Sequence, residues 1–308
     1  MMTTHYRACE RLVIDGGYEA QGEHLRRRGW CVLKEALPPS LIAALAEDLL
    51  PQFENTLYST GGFYGERTKR FGRLLLRSFH AAALVQQPEV LMLVEAQLGR
   101  WCDTIQLNLG QAIEIHPGAL AQMAHRDQDM WQGPKGEIEY LVNVMWPLTS
   151  FTEANGATII HSDSHGPAAV SESKPEPGVA VECEPGSAIV FLGSTLHGAG
   201  GNRTLAPRRG VIISYCLGWL KPYENQWLAY PPEIARTFSP ALSALVGYQQ
   251  HRPNLGNIEG LCPSVLLGAG LPEKIGAIDT LRPDQVALVA EHVALQREEM
   301  ADPAAGRS

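Results

Sequence analysis

The stretch GVAVECEPGSAIVFLGSTLHGAGGNRT, Gly178 to Thr204, contains two short β-rich runs that are separated by a Pro-Gly pair and followed by a glycine-rich turn. Five segments between residues 103 and 220 consist of such short β-rich runs, with Gly, Pro or Asn between them. Many short strands with frequent turn signals favour a β-sandwich or a closed barrel. The segments are DTIQLNLGQAIEIHPG, EIEYLVNVMWPLT, GATIIHS, GVAVECEPGSAIVFLG and RRGVIISYCLGWL.

Helices are expected on both sides of this β-rich part. PSLIAALAEDLLPQFENTL predicts a helix from Pro39 to near Phe53 that is capped by Ser40, and EVLMLVEAQLG predicts a second helix from Glu89 to a stop at Gly99. A third helix is expected from Pro283. Without a composition break that would mark a linker, we expect one domain over residues 1–308, mainly β with flanking helices. Its parts are a helical region at about 1–100, a β core at about 103–220, and an irregular and helical region at about 221–308.

Bulk composition limits the possible partners. The net charge of −8 argues against nucleic acid or an anionic membrane, because both need basic clusters on the protein. The 6 cysteines are scattered without Cys-x-x-Cys spacing, which is typical of free thiols in a reducing compartment. The chain begins without a secretory signal pattern, and no apolar run is long enough to span a bilayer. We therefore expect a cytoplasmic protein that binds a small molecule, with a homodimer as an open alternative.

A histidine and an aspartate stand one residue apart in AQMAHRDQDMW. In a strand, residues i and i+2 share a face, so His125 and Asp127 would lie side by side. A third metal ligand is offered by His197, which directly follows an apolar run and precedes a glycine-rich turn. Two imidazoles and one carboxylate form the facial triad of non-haem Fe(II) oxygenases, so these residues are the candidate metal ligands.

A second pair with the same spacing, His161 and Asp163, occurs in IIHSDSHG, where His165 also completes an H-x-x-x-H pattern typical of zinc. The segment follows a strand and is dense in Ser, Asp and Gly, which favours a polar loop over a rigid ligand platform. We therefore expect the first pair to bind the metal.

An anionic ligand is indicated by PRRGVIISY, which places Arg208 and Arg209 at the start of an apolar strand. An arginine that points into the core needs an anion to offset its desolvation, and a guanidinium can hold a carboxylate through two parallel hydrogen bonds. Alternation sends the two arginines to opposite faces but does not say which one points inwards. Thr195, two residues before His197, would share the inward face on the same rule.

The sequence resembles the phytanoyl-CoA dioxygenase family of Fe(II)- and 2-oxoglutarate-dependent oxygenases, in the branch that tailors natural products. Three segments together carry the resemblance: QMAHRDQDMW, NGATIIHSDSHG and LHGAGGNRTLAPRR. The resemblance runs from about residue 60 to 260. It implies a double-stranded β-helix, that is a jelly-roll or cupin-like core, with iron held by the three candidate ligands and with O2 as a second cosubstrate. It also implies that Arg208, assisted by Thr195, binds the distal carboxylate of 2-oxoglutarate and that Gln122 lies near its iron-bound end.

One departure from the family pattern is HSDSH where PGSH is usual, so that Asp163 replaces a glycine. Its negative charge near the barrel mouth disfavours an acidic or CoA-linked substrate, and we expect a small apolar natural-product-type substrate. Because Asp127 fills the position that related halogenases leave to a halide, hydroxylation, desaturation, cyclisation or endoperoxidation is expected. The rival readings are a cupin-like metal-binding protein without redox turnover and a zinc hydrolase. Candidate substrate-lining residues are Trp131, Asn143 and Trp146 and, in the entrance segment, Tyr64 and Arg67. For the two tryptophans, packing in the core is the open alternative.

Overall fold

The computed structural model describes residues 18–301. Residues 1–17, which include Cys9, and residues 302–308 belong to the terminal parts of the expected domain and lie outside the described residues.

Two antiparallel sheets form the centre of the molecule. The larger has six strands in the order β1-β7-β4-β9-β3-β2, and the smaller has three in the order β6-β5-β8. The strands are β1 (Trp30–Leu33), β2 (Thr68–Phe71), β3 (Ile105–Ile115), β4 (Leu141–Pro147), β5 (Thr158–Ile160), β6 (Val179–Ala180), β7 (Ala188–Leu192), β8 (His197–Ala199) and β9 (Arg208–Leu217). All five segments that the sequence predicts to contain strands do contain them. The short strands β1, β2 and β8 were not predicted, because none has a long alternating pattern of its own.

The two faces of the larger sheet have different neighbours. Strand β4 is buried along its whole length, so its side chains alternate between two apolar environments. Val142, Val144 and Trp146 pack against the flanking helices, whereas Met145 packs into a second cluster that includes Ile160 of the smaller sheet. The mainly β class with flanking helices and a jelly-roll core is thereby confirmed. The inner face, between the sheets, is the place where a chamber can form.

Helices cover the outer face and follow the β core. They are α1 (Tyr18–Arg28), α2 (Pro39–Asn55), α3 (Leu74–Arg77), α4 (Ala81–Val85), α5 (Pro88–Leu98), α6 (Gln226–Ala229), α7 (Pro232–Ala235), α8 (Pro240–Leu245) and α9 (Pro283–Ala301). The three predicted helices correspond to α2, α5 and α9. Among residues 18–301, no helix has both the length and the apolar character that a membrane span requires.

The predicted ends of two helices need correction. Ser40 does not cap α2, because the helix already begins at Pro39 and its cap position is Pro38 without a side-chain hydrogen bond. Proline suits a first helical position, since its φ is already helical and the first N–H groups have no helical partner anyway. Gly99 does end α5, but with φ −60° rather than in the left-handed region, and its N–H donates to Glu95 O. The position still favours glycine, because a Cβ there would lie 2.7 Å from Glu95 O.

Trp146 is fully buried in the outer, helix-facing core and does not reach the space between the sheets. The prediction that it lines a substrate site is wrong, since its place in β4 turns it towards the helices.

We expect Trp146→Ala to lower the free energy of unfolding by about 3–5 kcal/mol, because the substitution leaves a large cavity in a packed core. Urea unfolding followed by circular dichroism measures this. Phe79→Ala is the control, since Phe79 is 90% exposed and its truncation should change stability by no more than about 0.5 kcal/mol. Equal losses in the two variants would contradict the packing described here.

Candidate metal centre

Three side chains bring their donor atoms together at the inner face. Nε2 of His125 lies 3.3 Å from Oδ1 of Asp127, and Nε2 of His197 lies 3.6 Å from Oδ2 of the same carboxylate. Across residues 18–301, this is the one group of three or more His, Cys, Asp or Glu side chains whose donor atoms converge, all within 4.8 Å of one another. The arrangement offers two nitrogens and one oxygen to a metal ion.

The backbone brings these residues together in an unexpected way. His125 is not in a strand but forms a single bridge with His197: its N–H donates to His197 O at 2.8 Å, and the N–H of His197 donates back to His125 O at 3.0 Å. Asp127 then begins a 3₁₀ turn, Asp127–Met130. The prediction that strand alternation pairs His125 with Asp127 is therefore wrong, although the two side chains do lie together.

Both imidazoles are oriented by main-chain oxygens. Nδ1 of His125 lies 2.9 Å from Met123 O, and Nδ1 of His197 lies 3.0 Å from Thr195 O. A carbonyl oxygen can only accept, so each Nδ1 carries the hydrogen and each Nε2 keeps its lone pair towards Asp127. Asn143 donates from Nδ2 to Asp127 Oδ2 at 3.0 Å. Such outer hydrogen bonds are those that fix metal ligands.

The charges in this group favour metal binding. Burial alone would raise the pKa of Asp127, but the imidazoles of His197 and His125 and the amide of Asn143 hold it below its usual value. Burial lowers the pKa of His197. Burial also opposes a charge on His125, yet the hydrogen bond and the charge of Asp127 raise its pKa. The group thus keeps an ionised carboxylate and at least one neutral imidazole, which are the forms that bind metal ions.

A chamber of about 110 Å³ adjoins the three donors. Its wall comes mainly from β3, β8 and β9, and Asp127 is the sole carboxylate among the described residues that line it. The polar residues facing it include Arg70, Gln111, Gln122, Thr158, Arg208 and Ser214.

Arg208 is 1% exposed and has no carboxylate partner among residues 18–301. Its Nη2 donates weakly to Thr158 Oγ1 at 3.4 Å, its guanidinium carbon lies 3.6 Å from the ring centre of Phe151, and its Nε has no hydrogen-bond partner. Burial lowers the pKa of Arg208 to about 9. Arg209, on the opposite face of β9, donates instead to Glu114 at 2.5 Å. Arg208 is therefore the arginine that faces the chamber.

Thr195 does not reach the chamber. It lies in the turn before β8, where strand alternation does not hold, and its hydroxyl donates to Gly29 O at 2.8 Å. The prediction that Thr195 shares the inward face with His197 is wrong. Thr158, in β5, is the threonine beside Arg208. Its position follows from the pairing of β5 with β8, which a single sequence does not reveal.

A second arginine was missed by the sequence analysis. Arg70, in the edge strand β2, lines the chamber and places its guanidinium 4.8 Å from the ring centre of Tyr64. Its Nη1 donates to Gln111 Oε1 at 3.2 Å, and burial lowers its pKa. The hydroxyl of Tyr64 contacts the hydroxyl of Tyr223 across the chamber, so that two distant segments meet there.

Gln122 lies in the chamber wall, within the irregular segment that precedes His125. Its Nε2 donates to Phe63 O at 3.1 Å, and its Oε1 accepts from Ala199 N at 3.3 Å. The absence of a regular strand at residues 121–124 explains how Gln122 and His125 face the same space.

The candidate substrate residues divide in three ways. Tyr64 lines the chamber, and Asn143 supports Asp127. Arg67 and Trp131 do not line the chamber: Arg67 donates to Pro117 O at 3.2 Å, and the indole of Trp131 donates to Lys221 O at 2.9 Å. Trp131 is therefore not a lining residue of the chamber. Arg67 lines a neighbouring cavity that shares Tyr64, Arg70 and Gln122 with the chamber, so its role in the entrance segment stays a prediction.

His161 and Asp163, the competing candidate pair, each bond to a different residue. His161 is bonded through Nδ1 to Glu176 O at 2.7 Å, and Asp163 pairs with Arg28 at 2.8 Å. Asp163 adopts φ 58°, a left-handed conformation that glycine accepts most readily. This conformation explains why a glycine is usual at the position. Among the described residues, the pair is not part of a converging donor group.

This fold and donor group define a class of protein, a jelly roll with a His-Asp-His centre at its inner face, and comparisons with known proteins agree. The family model described as phytanoyl-CoA dioxygenase (PhyH) matches residues 25–210. Dioxygenase FrzG of Cladobotryum sp is 30% identical over 276 residues, covering 79% of this chain and 89% of FrzG. Dioxygenase trt7 of Aspergillus terreus is 28% identical over 260 residues, covering 80% of this chain and 90% of trt7.

Solved structures with the same fold include the α-ketoglutarate-dependent epimerase SnoN from nogalamycin biosynthesis, with a TM-score of 0.56 and 20% identity over 67% of this chain and 86% of SnoN. HygX from Streptomyces hygroscopicus, solved with nickel and 2-oxoglutarate bound, has a TM-score of 0.51 and 12% identity over 66% of this chain and 89% of HygX. The chain belongs to the phytanoyl-CoA dioxygenase family. It is an oxygenase of that family.

The turn that carries His197 is fixed by a buried carboxylate. Ser194 donates to Glu139 through its N–H at 3.1 Å and also through its hydroxyl, and Arg126 donates to Ser194 O at 3.0 Å. Burial raises the pKa of Glu139 from 4.5 to about 7, although its hydrogen bonds to Ser194 oppose the shift.

This raised pKa predicts a pH dependence of stability. Between pH 4.5 and about 7 the folded chain keeps a proton on Glu139 that the unfolded chain has released, so the free energy of unfolding should fall as the pH rises through this interval. We expect Glu139→Gln to remove that part of the slope. Urea unfolding at a series of pH values measures it. The exposed neighbour Glu137, changed to Gln, serves as the control and should leave the slope unchanged; an identical slope in the Glu139 variant would refute the assignment.

Proposed function

We propose that the protein is a non-haem Fe(II)- and 2-oxoglutarate-dependent dioxygenase that oxidises a small, apolar, natural-product-type substrate. The observation that carries the proposal is the convergence of His125, Asp127 and His197 beside a chamber that also contains the uncompensated guanidinium of Arg208. SnoN and HygX, which share the fold, are named with α-ketoglutarate or 2-oxoglutarate, and this supports the same cosubstrate here.

The donor set fits iron. Two imidazole nitrogens and one carboxylate oxygen on one side of a metal leave its other positions open for ligands that react, as in the facial triads of Fe(II) oxygenases. Both Nε2 lone pairs are available because main-chain oxygens hold the Nδ1 hydrogens. A zinc hydrolase with these ligands would need a general base beside the metal. Apart from Asp127, no described residue that lines the chamber is a carboxylate.

The chamber also fits a dicarboxylic acid. Arg208 and Thr158 would bind the carboxylate that is distant from the metal, while Gln122 and Arg70 border the metal side. A buried guanidinium without a counter-charge is costly, and a charge-assisted pair with a carboxylate would offset that cost. Thr158 thus takes the part that the sequence analysis gave to Thr195.

In this proposal iron, 2-oxoglutarate and O2 supply the oxidising chemistry, with succinate and carbon dioxide released as by-products. The chain positions the reactants and excludes water. Asn143 holds Asp127, and main-chain oxygens fix the two imidazoles. Tyr64 and Tyr223, whose hydroxyls contact each other, line the chamber and would contact a substrate there. Asp127 fills the position that related halogenases leave to a halide. We therefore propose hydroxylation, desaturation, cyclisation or endoperoxidation as the reaction, and not halogenation.

The state of the described cysteines bears on where the enzyme is located. All five, at positions 31, 102, 183, 216 and 262, are free thiols. We propose a cytoplasmic enzyme, because free thiols are usual in a reducing compartment.

The metal assignment predicts that His125→Ala and His197→Ala each lose bound Fe(II), because three ligands leave no spare member. Anaerobic equilibrium dialysis with Fe(II) measures the stoichiometry without turnover. The matched control is the double variant His161→Ala with Asp163→Ala, which should bind Fe(II) as the unchanged protein does. If the double variant lost the metal and the single variants kept it, the site would have to move to the loop.

The cosubstrate assignment predicts that Arg208→Ala raises the dissociation constant for 2-oxoglutarate by about 30-fold or more. Truncating one partner of a buried charge pair costs on the order of 2–5 kcal/mol, and each 1.4 kcal/mol corresponds to about tenfold. Calorimetric titration of nickel-loaded protein measures the constant, with nickel content checked separately. Arg209→Ala is the control, since Arg209 pairs with Glu114 on the other face. An unchanged constant in the Arg208 variant would remove 2-oxoglutarate from the proposal.

A further inference from the structure

A second cavity, of about 400 Å³, lies on another part of the molecule. It is bounded by the first residues of β3, the chain that follows β9, and the segment between α8 and Gly256. We call it the tryptophan cavity, after Trp219 and Trp227 in its wall. It shares no lining residue with the metal chamber, and its volume lies within the range of about 300–1,000 Å³ that is usual for small-molecule sites.

The two indoles present aromatic surface in fixed orientations. The Nε1 of Trp219 donates to Trp101 O at 3.0 Å, and the Nε1 of Trp227 donates to Gly247 O at 3.2 Å. Although both side chains line a cavity, they are 40% and 50% exposed. Because their polar atoms are already bonded, these residues offer only ring surface to a ligand, and such surface favours flat aromatic partners.

Three glutamines of the wall have the same hydrogen-bond pattern. Each directs one end of its amide to a main-chain oxygen, which can only accept, so that end must be the NH₂ group and the other end the carbonyl. None of the three carbonyl oxygens accepts a hydrogen bond from residues 18–301. The contacts are Gln106 Nε2 to Leu220 O at 2.6 Å, Gln226 Nε2 to Asn108 O at 3.3 Å and Gln249 Nε2 to Ile105 O at 3.4 Å.

Two unsatisfied atoms in this wall are deeply placed. Gln226 is 4% exposed, and its Oε1 is buried without a partner. His251 accepts at Nε2 from Asp103 N at 2.9 Å, so its hydrogen is on Nδ1, which is also buried and unpaired. Buried polar groups without partners are rare in folded proteins, because each loses its hydration without compensation. Neither atom has surface open to the cavity, so a ligand there would not reach them. The carbonyl oxygens of Gln106 and Gln249 are not buried, and they are the acceptors that a ligand with a hydrogen-bond donor can reach.

We propose that the tryptophan cavity is a second, non-catalytic binding site for a flat, neutral heteroaromatic molecule that carries an N–H donor. Aromatic lactams and amino-substituted nitrogen heterocycles have this chemistry. The carbonyl oxygen of Gln106 or Gln249 would accept from the N–H, and the indoles would pack against the ring. Lys221 is the sole charged side chain among the described residues of the wall, which disfavours a cationic ligand.

Two matched probes test the donor requirement on the unaltered chain. The first is 2-quinolinone, a neutral bicyclic lactam, and the second is 1-methyl-2-quinolinone, which keeps the ring and the acceptor but lacks the N–H. Titration followed by ligand-observed NMR should show that the first binds and that the second binds about tenfold more weakly, since the hydrogen bond to a glutamine oxygen is lost. Equal affinities, or no binding of either probe up to its solubility, would overturn the proposal.

Variants then locate the site. Trp227→Ala and Gln249→Leu should each weaken binding of 2-quinolinone by about tenfold, while Gln296→Leu, at an exposed position of α9 that does not line the cavity, should leave it unchanged. Thermal unfolding checks that every variant is folded. Nickel and 2-oxoglutarate at saturating concentration should not displace the probe, because the two spaces share no lining residue. Displacement by 2-oxoglutarate, or unchanged affinity in both cavity variants, would contradict the assignment. The experiment requires no turnover, so its outcome is independent of the proposed activity.

Discussion

The metal centre depends on two main-chain hydrogen bonds between His125 and His197. They join a loop that follows β3 to the start of β8, and they bring two imidazoles from distant parts of the sequence to ring centres 4.5 Å apart. Asp127 then turns back towards both rings because a 3₁₀ turn begins at that residue. Since the bridge uses main-chain atoms, it does not require the imidazoles themselves. Substituting either histidine therefore removes a donor while the local path of the chain can be kept.

The second feature that organises the site is an imbalance of charge. Arg209 is neutralised by Glu114, whereas Arg208, its neighbour in the chain, is buried against Phe151 and Thr158 without a carboxylate. Arg70 adds another guanidinium to the same chamber. With Asp127 as the one carboxylate among the described lining residues, the chamber is suited to an anion, and in the proposed enzyme 2-oxoglutarate would supply the missing charge.

Regular periodicity explains what the sequence predicted well. Within β9, alternation correctly places Arg208 and Arg209 on opposite faces, although only the fold shows which face is inside. The same rule fails outside strands: Thr195 is in a turn and bonds to Gly29, and Gln122 reaches the chamber through an irregular segment. Trp146 could not be assigned to the core or to the chamber because β4 is buried on both faces, so its pattern does not distinguish the two. Arg70 and Thr158 could not be found, since their positions follow from the pairing of short strands that are far apart in the chain.

The central claim is that one site holds a metal and 2-oxoglutarate in contact, and the coupling between their affinities tests it most directly. Calorimetric titration of 2-oxoglutarate into metal-free protein and, under anaerobic conditions, into Fe(II)-loaded protein gives the two dissociation constants. The account predicts that Fe(II) tightens 2-oxoglutarate binding by about tenfold or more, and that 2-oxoglutarate tightens Fe(II) binding by the same factor, as thermodynamic linkage requires. Equal constants for the metal-free and the Fe(II)-loaded protein would contradict it.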